Sequence, residues 1–147
     1  MTNFITDEDY KVVIGENALR VISQVSADIR ADAETEAIEE IAGYLRPKYD
    51  VNAIFAVGDG SKASLASRNR LIVMYACDIA LYHMSASQPQ KMGAEIRKER
   101  YERAIKWLES VQAQKVIPDL PIATDENGQP TGFLFKFNSQ KKLKHNW

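Results

Sequence analysis

The chain has 147 residues, 45% of them hydrophobic and 27% charged, which suits one domain with a real core and leaves no room for a second. Its 19 basic and 20 acidic residues nearly cancel, so no global charge draws it to nucleic acid or to a membrane surface. A single cysteine, Cys77, excludes an intrachain disulfide framework and fits a reducing compartment.

Met1 to Asp7 carries neither a basic region nor an apolar stretch of signal length, and the longest apolar run falls short of the roughly 20 residues that span a bilayer. We therefore expect a soluble protein without an export signal and with no membrane partner. Charge is spread unevenly along the chain. Residues 1–60 carry 12 acidic and 5 basic side chains, whereas residues 61–147 carry 8 and 14. The two halves either pair internally, helix against helix, or offer complementary faces to neighbouring subunits in head-to-tail assembly.

Thr6-Asp7-Glu8-Asp9 reads as a helix start, with the Thr6 hydroxyl as cap and acids facing the positive end of the dipole. Gly15 ends that short helix and a second short piece covers Asn17 to Ile22. Ser26 then caps a long helix from about Ala27 to Arg46, on which Glu34, Ile38, Ile41 and Leu45 share one stripe. Pro47 stops it, having no donor and clashing with the preceding turn. Residues 48–60 read as a loop whose Ile54-Phe55-Ala56-Val57 patch is a lid over the core, with nothing nearby for a strand to pair with.

After the Gly58-Asp59-Gly60 turn, Ser61 or Ser64 caps a central helix running to about Ser85, roughly 37 Å at 1.5 Å per residue. It contains the run Leu71 to Tyr82, apolar except for Asp78, so it is buried on nearly every side. An ionised carboxylate there needs a cation, and Arg97, Arg100 or Arg103 of the next helix can supply it. That helix, about Ala94 to Gln114, follows a loop with Pro89 and Gly93. It turns Ile96, Tyr101, Ala104, Ile105, Leu108 and Val111 toward the core, with Trp107 near the seam. Arg97, Lys98, Arg100, Arg103 and Lys106 ring the rest, either as a solvated face that pairs with the acidic long helix or, more sharply, as the lining of a DNA channel or a subunit interface.

Residues 1–120 thus form a helical domain, and 121–132, with Asn127-Gly128, Pro130 and Gly132, form a polar linker. Residues 133–147 form a C-terminal arm. Phe133, Leu134, Phe135, Lys136 and Phe137 alternate like a short strand, and Lys141, Lys142, Lys144 and Trp147 complete a basic tail. Such a segment is built either to add an edge to another protein's sheet or to fold back over its own helices. The expected fold is all-α, a small helical bundle around a buried central helix with an extended arm.

Chemical motifs are sparse. Gly58-Asp59-Gly60-Ser61-Lys62 lacks the spacing of a phosphate loop, and His83, His145 and Cys77 lack metal-ligand spacing. Asp125-Glu126-Asn127-Gly128 is not a calcium loop, and no nucleophile elbow occurs. We expect no catalytic residues, no metal and no cofactor.

Taken in order, Phe4-Ile5-Thr6-Asp7-Glu8-Asp9-Tyr10, Ala37-Ile38-Glu39-Glu40-Ile41-Ala42-Gly43-Tyr44-Leu45, Tyr49-Asp50-Val51, Asp78-Ile79-Ala80-Leu81-Tyr82-His83 and residues 97–108 (Arg97-Lys98-Glu99-Arg100 through Trp107-Leu108) form a recognisable set. Over about residues 4 to 121 the chain resembles the small neck proteins of tailed phages and prophages related to the Mu-like head-completion family. The resemblance implies a head-to-tail adaptor in the virion neck, assembled in the cytoplasm of a bacterial host. Such a protein forms a dodecameric ring beneath the portal, extends the DNA channel without reading sequence, and presents a platform to the next neck or tail protein. Tyr10, Tyr44, Asp78 and Arg100 would then be fold-forming residues, and in such adaptors a C-terminal arm commonly inserts into the portal. A small helical nucleic-acid-binding or regulatory protein is the alternative.

Overall fold

The computed structural model describes residues 3–23, 27–86 and 93–131. The fold is all-α. Seven helices follow one another among the described residues: α1 (Asp7–Tyr10), α2 (Glu16–Ser23), α3 (Ala27–Leu45), α4 (Val51–Ile54), α5 (Lys62–Ala66), α6 (Arg70–Ala86) and α7 (Ala94–Gln112). Helix α6 is the axis of the bundle. It packs against α3 and α7, which also touch each other, and its remaining side meets α1 and α2. Ile72, Ala76, Ile79, Ala80 and Leu81 on α6, Ile41 and Leu45 on α3, and Ala104 and Leu108 on α7 are wholly buried. A carbon skeleton hidden this completely supplies the main driving force for the fold.

The central helix starts later than its sequence suggests. Residues 62–66 form a separate turn of helix, and the chain breaks at Ser67-Arg68-Asn69 before α6 begins. Asn69 causes the break, because its Oδ1 accepts from Leu71 N at 3.0 Å and Ile72 N at 3.1 Å and so caps a new helix. Ser61 caps α5 by accepting from Ser64 N. The long helix α3 ends at Leu45, just ahead of Pro47. Ser26, read as the cap of α3, lies outside the described residues.

Thr6 is the N-cap of α1 in a capping box with Asp9, whose Oδ2 accepts from Thr6 N and from the Thr6 hydroxyl, each at 2.8 Å. Other expectations change. Residues 48–60 do cover the core, with Ile54 buried and Phe55 edge-on to Phe4 at 4.9 Å, but they contain α4, capped by Asp50. Tyr49 also has a strand partner, since it bridges Ile122 in antiparallel register, with Asp50 N donating to Pro121 O and Ala123 N to Lys48 O. The segment read as a linker is therefore fastened to the bundle. It continues as a hairpin in which Thr124 bridges Pro130, and the Asp125 carboxylate accepts from Asn127 N and Gln129 N across a turn that puts Gly128 at φ 74°.

Replacing Asn69 by alanine should cost about 1 kcal/mol through loss of the cap. A fall in the urea midpoint without a change of slope would measure it.

Candidate functional site

Three of the polar side chains that the sequence marks, Asp78, Arg97 and Arg100, turn into the bundle. Asp78 is 1% exposed, and Arg100 Nε donates to its Oδ1 at 2.6 Å. Arg97 is also buried, at 8% exposure, and its Nη2 donates to Val13 O at 3.4 Å. Burial, reinforced by the neighbouring Arg100 charge, lowers the Arg97 pKa, while the attraction of Asp78 acts the other way. Arg103 stays on the exposed surface of α7 with Lys98 and Lys106.

These inward arginines reset the face of α7. The buried stripe is Arg97, Ala104, Leu108 and Val111 with Tyr101 half-buried, and Ile96, read as a core residue, is instead 50% exposed. Two basic side chains are thereby withdrawn from the outer face. Its exposed charges are Lys98, Arg103 and Lys106 interleaved with Glu95, Glu99, Glu102 and Glu109, and Lys98 lies 3.8 Å from Glu102. Among the described residues no lysine or arginine of α7 pairs with a carboxylate of α3. Asp28, Asp32, Glu36 and Glu39 consequently stand exposed along one side of α3, the spacing i, i+4, i+8, i+11 keeping them in line. Arg46, 3.7 Å from Glu39, is the cation at the end of this stripe.

Three more clusters hold the helices together. Arg68 reaches back across the chain to Asp9, with Nη1 at 2.8 Å from Oδ2 and Nη2 at 3.1 Å from Oδ1, and Nη1 also donates to Phe4 O. Burial works to raise the Asp9 pKa, but the bonds from Arg68 and Thr6 outweigh it and hold the carboxyl below its ordinary 3.8. On α3, Glu34 accepts from Tyr10 Oη at 2.9 Å and Arg30 Nε at 2.9 Å, and Arg30 extends to Asp7 at 2.6 Å. Glu40 accepts from Tyr101 Oη at 2.7 Å and meets His83 Nε2 at 3.0 Å, while Tyr82 stacks on Tyr101 with ring centres 4.1 Å apart. Each cluster ties distant parts of the chain together, and each uses its carboxylate as an acceptor for neighbouring donors.

Burial pushes the Cys77 thiol far above its ordinary pKa, so it is a packing group. In the Gly58 to Lys62 turn, Asp59 Oδ1 accepts from Ser61 N at 2.9 Å and Ser64 Oγ at 2.6 Å, which holds its carboxyl down at about 2. A fixed negative charge thus takes up donors of this turn. Among the described residues there is no group of three His, Cys, Asp or Glu that could hold a metal ion, and no helix is long and apolar enough to cross a membrane.

Of the concave surfaces among the described residues, two are lined mainly by uncharged side chains. One, near 370 Å³, lies beside Asp9, Arg70 and Met74 and includes Val12, 69% exposed, and Leu71. The other, about 300 Å³ and mainly apolar, sits where α3 and α7 end, between Tyr44, Pro47, Tyr49 and Val111, with Gln112 and Gln114 at its rim. The sequence profile of the family described as Bacteriophage Mu, Gp36 matches residues 1–136, which takes in every element above. The chain belongs to this family. It is accordingly a Mu-like phage protein, a viral protein. No curated protein and no solved structure matches it.

Family membership sits well with a body whose buried charges serve folding. The Asp9 to Arg68 pair and the Glu34 cluster were not legible in the sequence, although the Thr6-x-x-Asp9 spacing and the helix break at Arg68 to Asn69 are signals of the first. Phe133, Leu134, Phe135, Lys136, Phe137, Lys141, Lys142, Lys144 and Trp147 lie outside the described residues.

Two outcomes test these clusters. Arg100→Met should destabilise by about 3–5 kcal/mol by stranding a buried carboxylate, and adding Asp78→Leu should recover much of that loss. Asp9 is depressed in the fold, so its contribution is present above the unfolded pKa of 3.8 and is lost as pH falls below it. The stability gap between the parent and Asp9→Asn, followed by denaturant unfolding, should therefore be widest near neutral pH and close as pH falls progressively below 3.8.

Proposed function

We propose that this protein is a structural, non-enzymatic component of the virion, a head-to-tail adaptor that assembles as a dodecameric ring beneath the portal, extends the DNA channel and receives the next neck or tail protein. The observation that carries the reading is the family match over residues 1–136, together with the ordered resemblance of residues 4 to 121 to phage neck proteins. The physical features agree with it. A body in which the buried carboxylates are spent on holding helices together offers shape and rigidity.

A ring needs a face that repeats around it, and a heterologous contact supplies one. The exposed acidic stripe of α3, the exposed apolar Val12 and Leu71, and the surface residues Lys98, Arg103 and Lys106 of α7 are the candidates for contact with the neighbouring subunit or the DNA channel. Charge pairing at such rims sets register and specificity more than affinity. The interleaved glutamates of α7 suit a wall past which DNA slides better than a track that grips phosphates, and so weigh against the nucleic-acid-binding alternative. Portal attachment falls to the C-terminal arm, whose aromatic and lysine residues can add a strand to a partner's edge.

Mixing the purified chain with the portal protein of the same phage and imaging by electron microscopy tests this. Rings stacked on portals are expected with the full chain and should vanish with a chain ending at Gly132. No complex with the full chain, under salt where portals persist, would sink the adaptor reading.

A further inference from the structure

We propose that in the isolated chain the C-terminal segment docks on its own body, with an aromatic side chain of Phe133 to Phe137 in the cavity between Tyr44, Pro47, Tyr49 and Val111 and the lysine-bearing tail along the acidic stripe of α3.

Chain continuity leads there. Thr131 N donates to Ala123 O, Ala123 N donates to Lys48 O, and Lys48 and Tyr49 are walls of the cavity. The hairpin is antiparallel, so its second strand travels back toward Ile122, the residue bridged to Tyr49. Sixteen residues follow Thr131. At about 3.3 Å per residue, a few of them cover the two strand spacings, ~10 Å, that separate Thr131 from the cavity wall.

Chemistry matches at both ends of the segment. The cavity is apolar and of a size for an aromatic ring, and Phe133, Phe135 and Phe137 alternate so that three rings share one face. Its rim carries the amides of Gln112 and Gln114, able to bond an extended backbone. Gln114 itself stands at φ 58° just past the end of α7, where glycine would sit without strain. A side chain retained at such a position is consistent with a use for its amide.

Charge extends the match beyond the cavity. Residues 132–147 contain four lysines, Lys136, Lys141, Lys142 and Lys144, and no carboxylate side chain. Asp28, Asp32, Glu36 and Glu39 form an exposed row on the helix whose C-terminal end builds the cavity. From Pro47 back to Asp28 is about 28 Å of helix at 1.5 Å per residue, and the ten residues after Phe137 extend to about 33 Å. Docked in this way, the aromatic face is kept from water and from other copies until a partner with a better edge takes it.

Docking is a property of the isolated chain, so it is tested without a portal, and its failure would leave the adaptor reading standing. Gln112→Cys and Phe135→Cys are introduced together into the full chain, where buried Cys77 stays out of the exchange. With oxidised glutathione as the oxidant, which is reduced to two thiols per bond formed, an internal disulfide should form at a rate independent of protein concentration and at least about ten-fold faster than in the control pair Gln112→Cys with Asn146→Cys, as a raised effective concentration requires. Adding Asp32→Lys and Glu36→Lys should slow it several-fold. Equal rates for the two pairs, or a disulfide that links two chains, would overturn the proposal, and an unchanged rate in the charge-reversed variant would remove the α3 stripe from the site.

Discussion

Asp78 is a charge placed in the middle of the most buried helix of the molecule, and the packing of the bundle follows from meeting its needs. A carboxylate at 1% exposure is costly to bury without a donor. Arg100 provides it, so α7 must be rotated until its arginines turn toward α6. That rotation carries Arg97 inward and Ile96 outward, against the hydrophobic order of the two residues. One polar residue thus decides which face of a nineteen-residue helix is the surface.

The Asp9 to Arg68 pair acts similarly at the other end. By binding Asp9 and the carbonyl of Phe4 at once, Arg68 pulls the N-terminal segment onto the start of α6, where Phe4 closes on Phe55. The helix break at Ser67 to Asn69 is what points Arg68 in this direction, because a continuous helix would carry it round to another face. Buried pairs of this kind are weak sources of net stability, yet they are expensive to half-remove, and they select one arrangement among many that a greasy core would tolerate. A protein proposed to repeat itself around a ring gains from such uniqueness.

Surface charge is a by-product of the same choices. With Arg97 and Arg100 drawn inward, the outer face of α7 is balanced, and with no arginine or lysine of α7 paired to α3, the acidic row on α3 stays exposed. The imbalance seen between the two halves of the sequence is therefore met only in part inside the described body, by Arg68 and Arg70 at Asp9. The rest is left for another surface to meet, whether a neighbouring copy or the lysine-bearing tail.

How much of this was legible in the residues follows a physical line. Local signals sufficed for the long helices: Pro47 for the end of α3, the apolar run around Asp78 for a central α6, and Gly128 for the turn near the end, whereas α4 and the break between α5 and α6 went unread. Asp78 in that run announced that a cation must come to it, since the cost of burying charge is a property of the residue itself. Which arginine came, and at what expense to Ile96, depended on how two helices cross, a matter of distances between residues more than twenty positions apart. The same holds for Arg68 with Asp9, for Tyr10 with Glu34 and for the pairing of Tyr49 with Ile122, where the sequence carries the groups but no record of their separation. Periodicity and capping are written in neighbouring residues; partnership between buried polar groups is decided only once the chain has closed on itself.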